Sequence, residues 1–115
     1  MEDNMKLNIL ERLVLSGILP AKGDYLTIKK ISELRENLIN FSDDEIKTYE
    51  INIHKDGWSF NRKKAIEYVK EFQIGELCHK EIREVLKKKN EDRILESSEI
   101  TLYEKFVEKG YAKSD

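Results

Sequence analysis

Residues 75–90 read GELCHKEIREVLKKKN, and the spacing in this stretch decides how the rest of the chain is read. Cys78, Ile82, Val85 and Leu86 recur at i, i+4, i+7 and i+8, the apolar stripe of a helix buried along one side. Glu76, Lys80, Glu81, Arg83, Glu84, Lys87 and Lys88 fill the other face, with Glu76–Lys80 and Glu84–Lys88 in the favourable i, i+4 order. Gly75 opens the segment, and Asn90 suits the left-handed residue that closes it. The spacing predicts a central helix around which the other elements pack.

Upstream, the period changes. Ile51 and Ile53 alternate with Asn52 and His54 before Lys55-Asp56-Gly57-Trp58, and Asp-Gly favours a type I′ hairpin turn. With Asp56 and Gly57 as the loop, Lys55 pairs with Trp58 and Ile53 with Phe60. Ile51, Ile53, Trp58 and Phe60 then share one face, while His54 and Ser59 point the other way. Residues 61–74 fit a helix through Ala65, Ile66, Val69 and Phe72, and a strand through Ile66, Tyr68, Phe72 and Ile74. A turn over 61–64 and a third strand within about 68–74 are favoured, because a lone hairpin is marginal.

The remaining segments read as helices. Over 4–16, Leu7, Leu10, Leu13 and Val14 mark an inner face with Glu11 and Arg12 outward. Gly17 at C′ with Leu13 and Ile18 predicts a Schellman end before Pro20. A second helix, capped by Asp24 or Thr27, runs to about residue 39 with Ile28, Ile31, Leu34 and Leu38 inward. Ser42 and Glu45 form a capping box, with Phe41 and Ile46 as a hydrophobic staple, so a short helix starts at Asp43. Ser97 caps a last helix over 98–109, with Ile100, Tyr103, Phe106 and Val107 inward and Gly110 and Tyr111 closing it; residues 111–115 form a tail. The predicted fold is α+β: one mostly helical domain over 1–115 with a small antiparallel hairpin or three-stranded sheet.

Composition narrows the function classes. The chain has 115 residues, 39% hydrophobic and 38% charged, with a net charge of −2 and a single cysteine. That suits a globular domain with a dense, mixed-charge surface, a reducing cytoplasm and no general attraction to nucleic acid or anionic membrane. The N-terminal MEDNMKLN lacks the features of a signal peptide, and no apolar run is long enough to span a bilayer.

Little in the sequence is equipped for catalysis. Cys78 and His79 diverge by about 100° on a helix, so they do not act together; Cys78 belongs to the apolar stripe and His79 falls off it. His54 and Asp56 flank a turn, and no P-loop, GxGxxG, GxSxG, HExxH or CxxC pattern occurs. No catalytic, cofactor-binding or metal-ligating residue is assigned and no cofactor is expected. The cluster that stands out is Lys55, Arg62, Lys63 and Lys64, basic residues beside Trp58 and Phe60 and candidates for nucleic-acid or partner contact. Because Ile51 and Ile53 share the aromatic face, burial of that face is the better reading, with the basic residues solvated.

The order RLVLSGILP, GDYLTIKKISELRENL, a short acidic helix, the Gly57-Trp58 hairpin, KEFQIGEL running into IREVLKKK, and LYEKFV resembles a loose group of small, functionally uncharacterised proteins encoded in bacterial phages and prophages. Gly23, Trp58, Gly75 and the LYEKF block carry the resemblance. It implies a phage-type source and a compact α+β fold, and transfers no functional residues. The expectation is a non-enzymatic, cytoplasmic interaction protein that binds an unidentified host or phage protein or self-associates. Nucleic-acid binding through the 55–70 patch is the alternative, and an enzyme with a carboxylate site ranks last.

Overall fold

The computed structural model describes residues 4–110. The elements run β1 (Asn4–Asn8), α1 (Ile9–Ile18), α2 (Tyr25–Ile39), α3 (Asp43–Tyr49), β2 (Asn52–His54), β3 (Gly57–Ser59), α4 (Arg62–Ala65), β4 (Val69–Gln73) and α5 (Glu76–Glu91). A 3-10 turn (Ser97–Glu99), α6 (Ile100–Tyr103) and a π-helical segment (Glu104–Gly110) complete it. The class is α+β. Its strands form two separate two-stranded antiparallel sheets, β1–β4 and β2–β3.

The N-terminus departs from the helix expected over 4–16. Residues 4–8 form a strand, and the helix begins only at Ile9, where Asn8 and Glu11 make a capping box. The Glu11 amide donates to Asn8 Oδ1 at 2.7 Å and the Asn8 amide to Glu11 Oε1 at 2.9 Å. Gly17 does not end this helix either. The chain continues to Ile18, and the Arg35 side chain of α2 satisfies the exposed carbonyls of Ser16, Leu19 and Pro20.

β1 provides the partner that β4 needs. Met5 lies opposite Phe72, Lys6 opposite Glu71 and Leu7 opposite Lys70. The strand over 68–74 therefore joins the N-terminus and not the hairpin, so no three-stranded sheet forms. Residues 61–64, expected as a turn, start α4 instead, capped by the Asn61 side chain on the Lys64 amide.

In the hairpin, Ile53 pairs with Trp58 and His54 with Gly57, which leaves Lys55 and Asp56 as the turn. Gly57 opens β3 at φ +145°, a conformation that glycine adopts without strain. Compared with the Ile53–Phe60 register, the pairing moves by two residues, so residues of the same parity still oppose each other. Ile51, Trp58 and Phe60 pack in one cluster, and His54 Nε2 meets Ser59 Oγ at 2.7 Å.

α2 begins at Tyr25 with Asp24 as its cap, and α3 at Asp43 with the Ser42–Glu45 box, both as expected. Ile46, the outer half of the expected staple, is instead exposed. α5 ends at Glu91, and the left-handed residue after it is Arg93, not Asn90.

α1, rather than α5, lies at the centre, touching α2, α4, α6 and the 3-10 turn. Glu11 and Arg12, expected outward, are buried because Lys105 covers one and α3 the other. His79 is also buried, since α5 has a second packed face: its ring lies 5.2 Å from that of Phe106. The last segment is rotated from its expected setting. Glu99 points inward as the N3 residue of a capping box with Glu96, which sets Glu99, Leu102 and Phe106 on the inner row and leaves Ile100 exposed. Tyr111 and the tail lie outside the described residues.

The buried residues form two clusters. The larger joins β1, α1, α2, β4, α5 and the C-terminal segment through Leu7, Leu15, Ile31, Leu38, Phe72, Ile82, Leu86, Leu102 and Phe106, among others. The smaller is built on Ile9, Leu13, Ile51 and Ala65, with Phe41, Tyr49, Trp58, Phe60 and Tyr68 half-buried around them.

Candidate functional site

The basic cluster is only partly brought together. Arg62, Lys63 and Lys64 form the exposed surface of α4, and Lys55 is exposed in the hairpin turn. Trp58 and Phe60 are turned into the smaller cluster, with Phe41 edge-on to Trp58 at 5.9 Å. The cations and the aromatic rings therefore do not form one stacking platform.

Cys78 and His79 are both buried, on neighbouring faces of α5. Burial pushes the Cys78 thiol up, which disfavours the nucleophilic thiolate. Among the described residues, no group of three or more His, Cys, Asp and Glu side chains could hold a metal ion. No helix among them is long and apolar enough to cross a membrane.

A buried ionic centre joins the two clusters. The Arg12 guanidinium, 0% exposed, donates through Nε to the Leu38 carbonyl at 2.9 Å and through an NH₂ group to Glu45 Oε2 at 3.1 Å. It also lies 4.2 Å from the centre of the Phe41 ring and 4.9 Å from that of Phe72. Burial pushes the Glu45 carboxyl up, but the Ser42 amide and the Arg12 charge outweigh it and hold the group below the usual carboxylate range. Burial and the neighbouring Glu45 carboxylate push the Tyr68 phenol up. The second terminal nitrogen, Arg12 Nη2, is buried with no hydrogen-bond partner among the described residues.

An open concave feature lies elsewhere. A groove of about 620 Å³ runs between α2 and β4 and ends at the first turn of α5. Lys30, Glu33 and Asn37, spaced three and four apart, line the α2 wall; Lys70, Glu71, Phe72, Gln73 and Ile74 line the opposite wall. Leu26 stands at one end, 52% exposed. The volume falls within the range of ligand sites, but the lining mixes charges of both signs and is not the dry apolar pocket of a small-molecule site.

Of these groove residues, Lys70 falls at the end of the basic 55–70 patch read from the sequence, and the others were not legible as a site. The available signal was VKEFQ over 69–73, a short strand with adjacent opposite charges in its middle, a pattern that marks a sheet edge. The chain matches no protein-family model, no curated protein and no solved structure.

Proposed function

We propose that this chain is a small non-enzymatic interaction protein of phage or prophage type, which acts by binding another protein along the groove between α2 and β4. The observation that carries this reading is the groove itself: open, and walled by mixed charges and by strand β4. Such a lining suits polypeptide, which brings backbone donors and acceptors together with charges of both signs.

The test is capture of partners from a bacterial lysate, with nuclease present, by the wild-type chain and two charge-reversed variants. Lys30→Glu with Glu33→Lys alters the groove wall; the triple change of Arg62, Lys63 and Lys64 to Glu alters α4. The reading expects a captured protein to be lost with the groove variant and kept with the α4 variant, and the reverse outcome would overturn it.

The alternative, nucleic-acid binding through Lys55, Arg62, Lys63 and Lys64, rests on the exposure of those side chains. It predicts oligonucleotide binding that weakens steeply with salt as counterions are released. With the aromatic rings packed inward and a net charge of −2, we expect no measurable binding to a single-stranded oligonucleotide at physiological ionic strength. Fluorescence anisotropy checks this directly.

A further inference from the structure

The two long edges of the β1–β4 ribbon are finished differently. On the β1 side, the Lys105 ammonium donates to the Lys6 carbonyl at 2.7 Å and to the Glu11 carboxylate at 2.8 Å. A side chain from the last helix thus takes the Lys6 carbonyl on that edge, and the Glu11 carboxylate takes the Asn8 amide. On the β4 side, among the described residues, no hydrogen bond joins the backbone of Val69–Gln73 to any element but β1. In an antiparallel pair, alternate residues turn their N–H and C=O away from the partner strand. Among the described residues, β4 therefore presents a row of donors and acceptors without partners, a template for another extended chain.

The groove opens on that row. Successive residues of both parities, Lys70 to Ile74, line it, and no β1 residue does. A sheet face would contribute alternate residues, whereas an edge contributes consecutive ones.

Resting on the groove reading above, we infer that the occupant is an extended segment of a partner protein, which adds antiparallel to β4 as a third strand. A second copy of this chain fits less well. Two-fold pairing of β4 with itself keeps both core faces on the same side, so residues of equal parity oppose each other. Centring on Lys70 or Glu71 sets like charges directly opposite, which is destabilising. Centring on Phe72 leaves only 71–73 paired within the strand. The α2 wall also lies across the approach of a folded sheet, while a lone segment can lie alongside it.

The existing pairing indicates what the segment carries. Across the other edge, Met5 faces Phe72 and Lys6 faces Glu71. Opposite-charge pairs favour pairing, so the free edge selects an apolar residue opposite Phe72, a basic one opposite Glu71 and an acidic one opposite Lys70. Read from the N-terminus, the segment is apolar–basic–acidic.

The probe is the capped nonapeptide Ser-Thr-Asn-Val-Lys-Glu-Val-Thr-Ser, with a second peptide in which Lys and Glu are exchanged. Both are titrated into the isotope-labelled full chain, and amide exchange is followed by NMR. We expect shifts along the groove that are stronger for the first peptide, and alternate amides within 69–73 that exchange fast in the free protein to slow by about tenfold or more at saturation. N-methylation of the peptide residues whose amides face β4 should abolish binding, and N-methylation of the intervening ones should not. Groove shifts without slowed β4 amides would overturn strand addition while leaving the groove reading intact. Absence of groove shifts with both peptides would overturn the inference, whatever the capture experiment shows. Concentration-dependent slowing of the same amides without peptide would make the occupant a second copy and overturn the choice of partner.

Discussion

The two buried clusters are held by different physics. The larger is a mainly aliphatic interior of Leu and Ile side chains contributed by six parts of the chain, with Phe72 and Phe106 at full burial or close to it. The smaller has Ile9, Leu13, Ile51 and Ala65 inside and a ring of aromatics left half in water. There, geometry replaces volume: Tyr49 stacks on Tyr68 at 5.2 Å and Phe41 meets Trp58 edge-on. Arg12 belongs to both, lying against Phe72 of one cluster and Phe41 of the other. One chain thus builds a core stabilised by area removed from water and a second stabilised by a charge held among rings. The second should be the more sensitive to ionisation.

The sharpest way to break this contrast is at the shared residue. Arg12→Met removes the charge, leaves Glu45 buried without its cation, and should cost about 3–5 kcal/mol in denaturant melts. A loss below 1 kcal/mol would show that the clusters do not depend on the ion pair. Within the larger cluster, Leu86→Ala should cost about 2–5 kcal/mol through lost contacts and a cavity. A near-neutral result would mean that the aliphatic interior readily collapses around the gap.

In the smaller cluster, Ser42→Ala removes the side-chain cap on the Glu45 amide and should cost about 0.5–2 kcal/mol. The gentlest test is acid. The Glu45 carboxyl is held below its ordinary value in the folded state, so its contribution is present above the unfolded pKa, near 4.5, and is lost as pH falls through the folded value. Trp58, the only tryptophan, sits in the smaller cluster. Its fluorescence should therefore change at a higher pH than the helical circular dichroism, whereas coincident transitions would mean that the two clusters open as one.

Much of the fold was legible because local chemistry dictated it. The Ser42–Glu45 box, the Asp24 cap and the Cys78, Ile82 and Leu86 stripe each act within a few residues, and each is where the sequence places it. The failures share a cause in distant partners. Residues 4–8 carry apolar positions compatible with a helix, and only pairing with residues 69–73 makes them a strand. Arg12 and Glu11 look solvent-facing in isolation and are buried because Glu45 and Lys105 arrive from elsewhere. A local signal marks the true helix start as well, since Asn8-Ile9-Leu10-Glu11 is itself a capping box. The candidate groove depends on the spacing between α2 and the outer edge of β4, which no local pattern encodes.

These helix starts have a common design. The buried acids Glu11, Glu45 and Glu99 are each the N3 residue of a capping box, and each is met by a cation from another element: Lys105, Arg12 and Lys89. A helix boundary and a tertiary contact are thereby fixed by the same carboxylate. Substituting any of these glutamates removes both at once, so secondary and tertiary structure are coupled at each of these points.

Lys105 has a consequence for how many molecules can join. A ribbon with one receptive edge is monovalent: it takes one strand, and the association ends there. With both edges receptive it would be divalent, and head-to-tail addition that does not close into a ring grows without limit. If β4 takes a strand as inferred, Lys105 on the Lys6 carbonyl and Glu11 on the Asn8 amide would disfavour a second strand at β1 and so favour stoichiometric recognition over polymerisation.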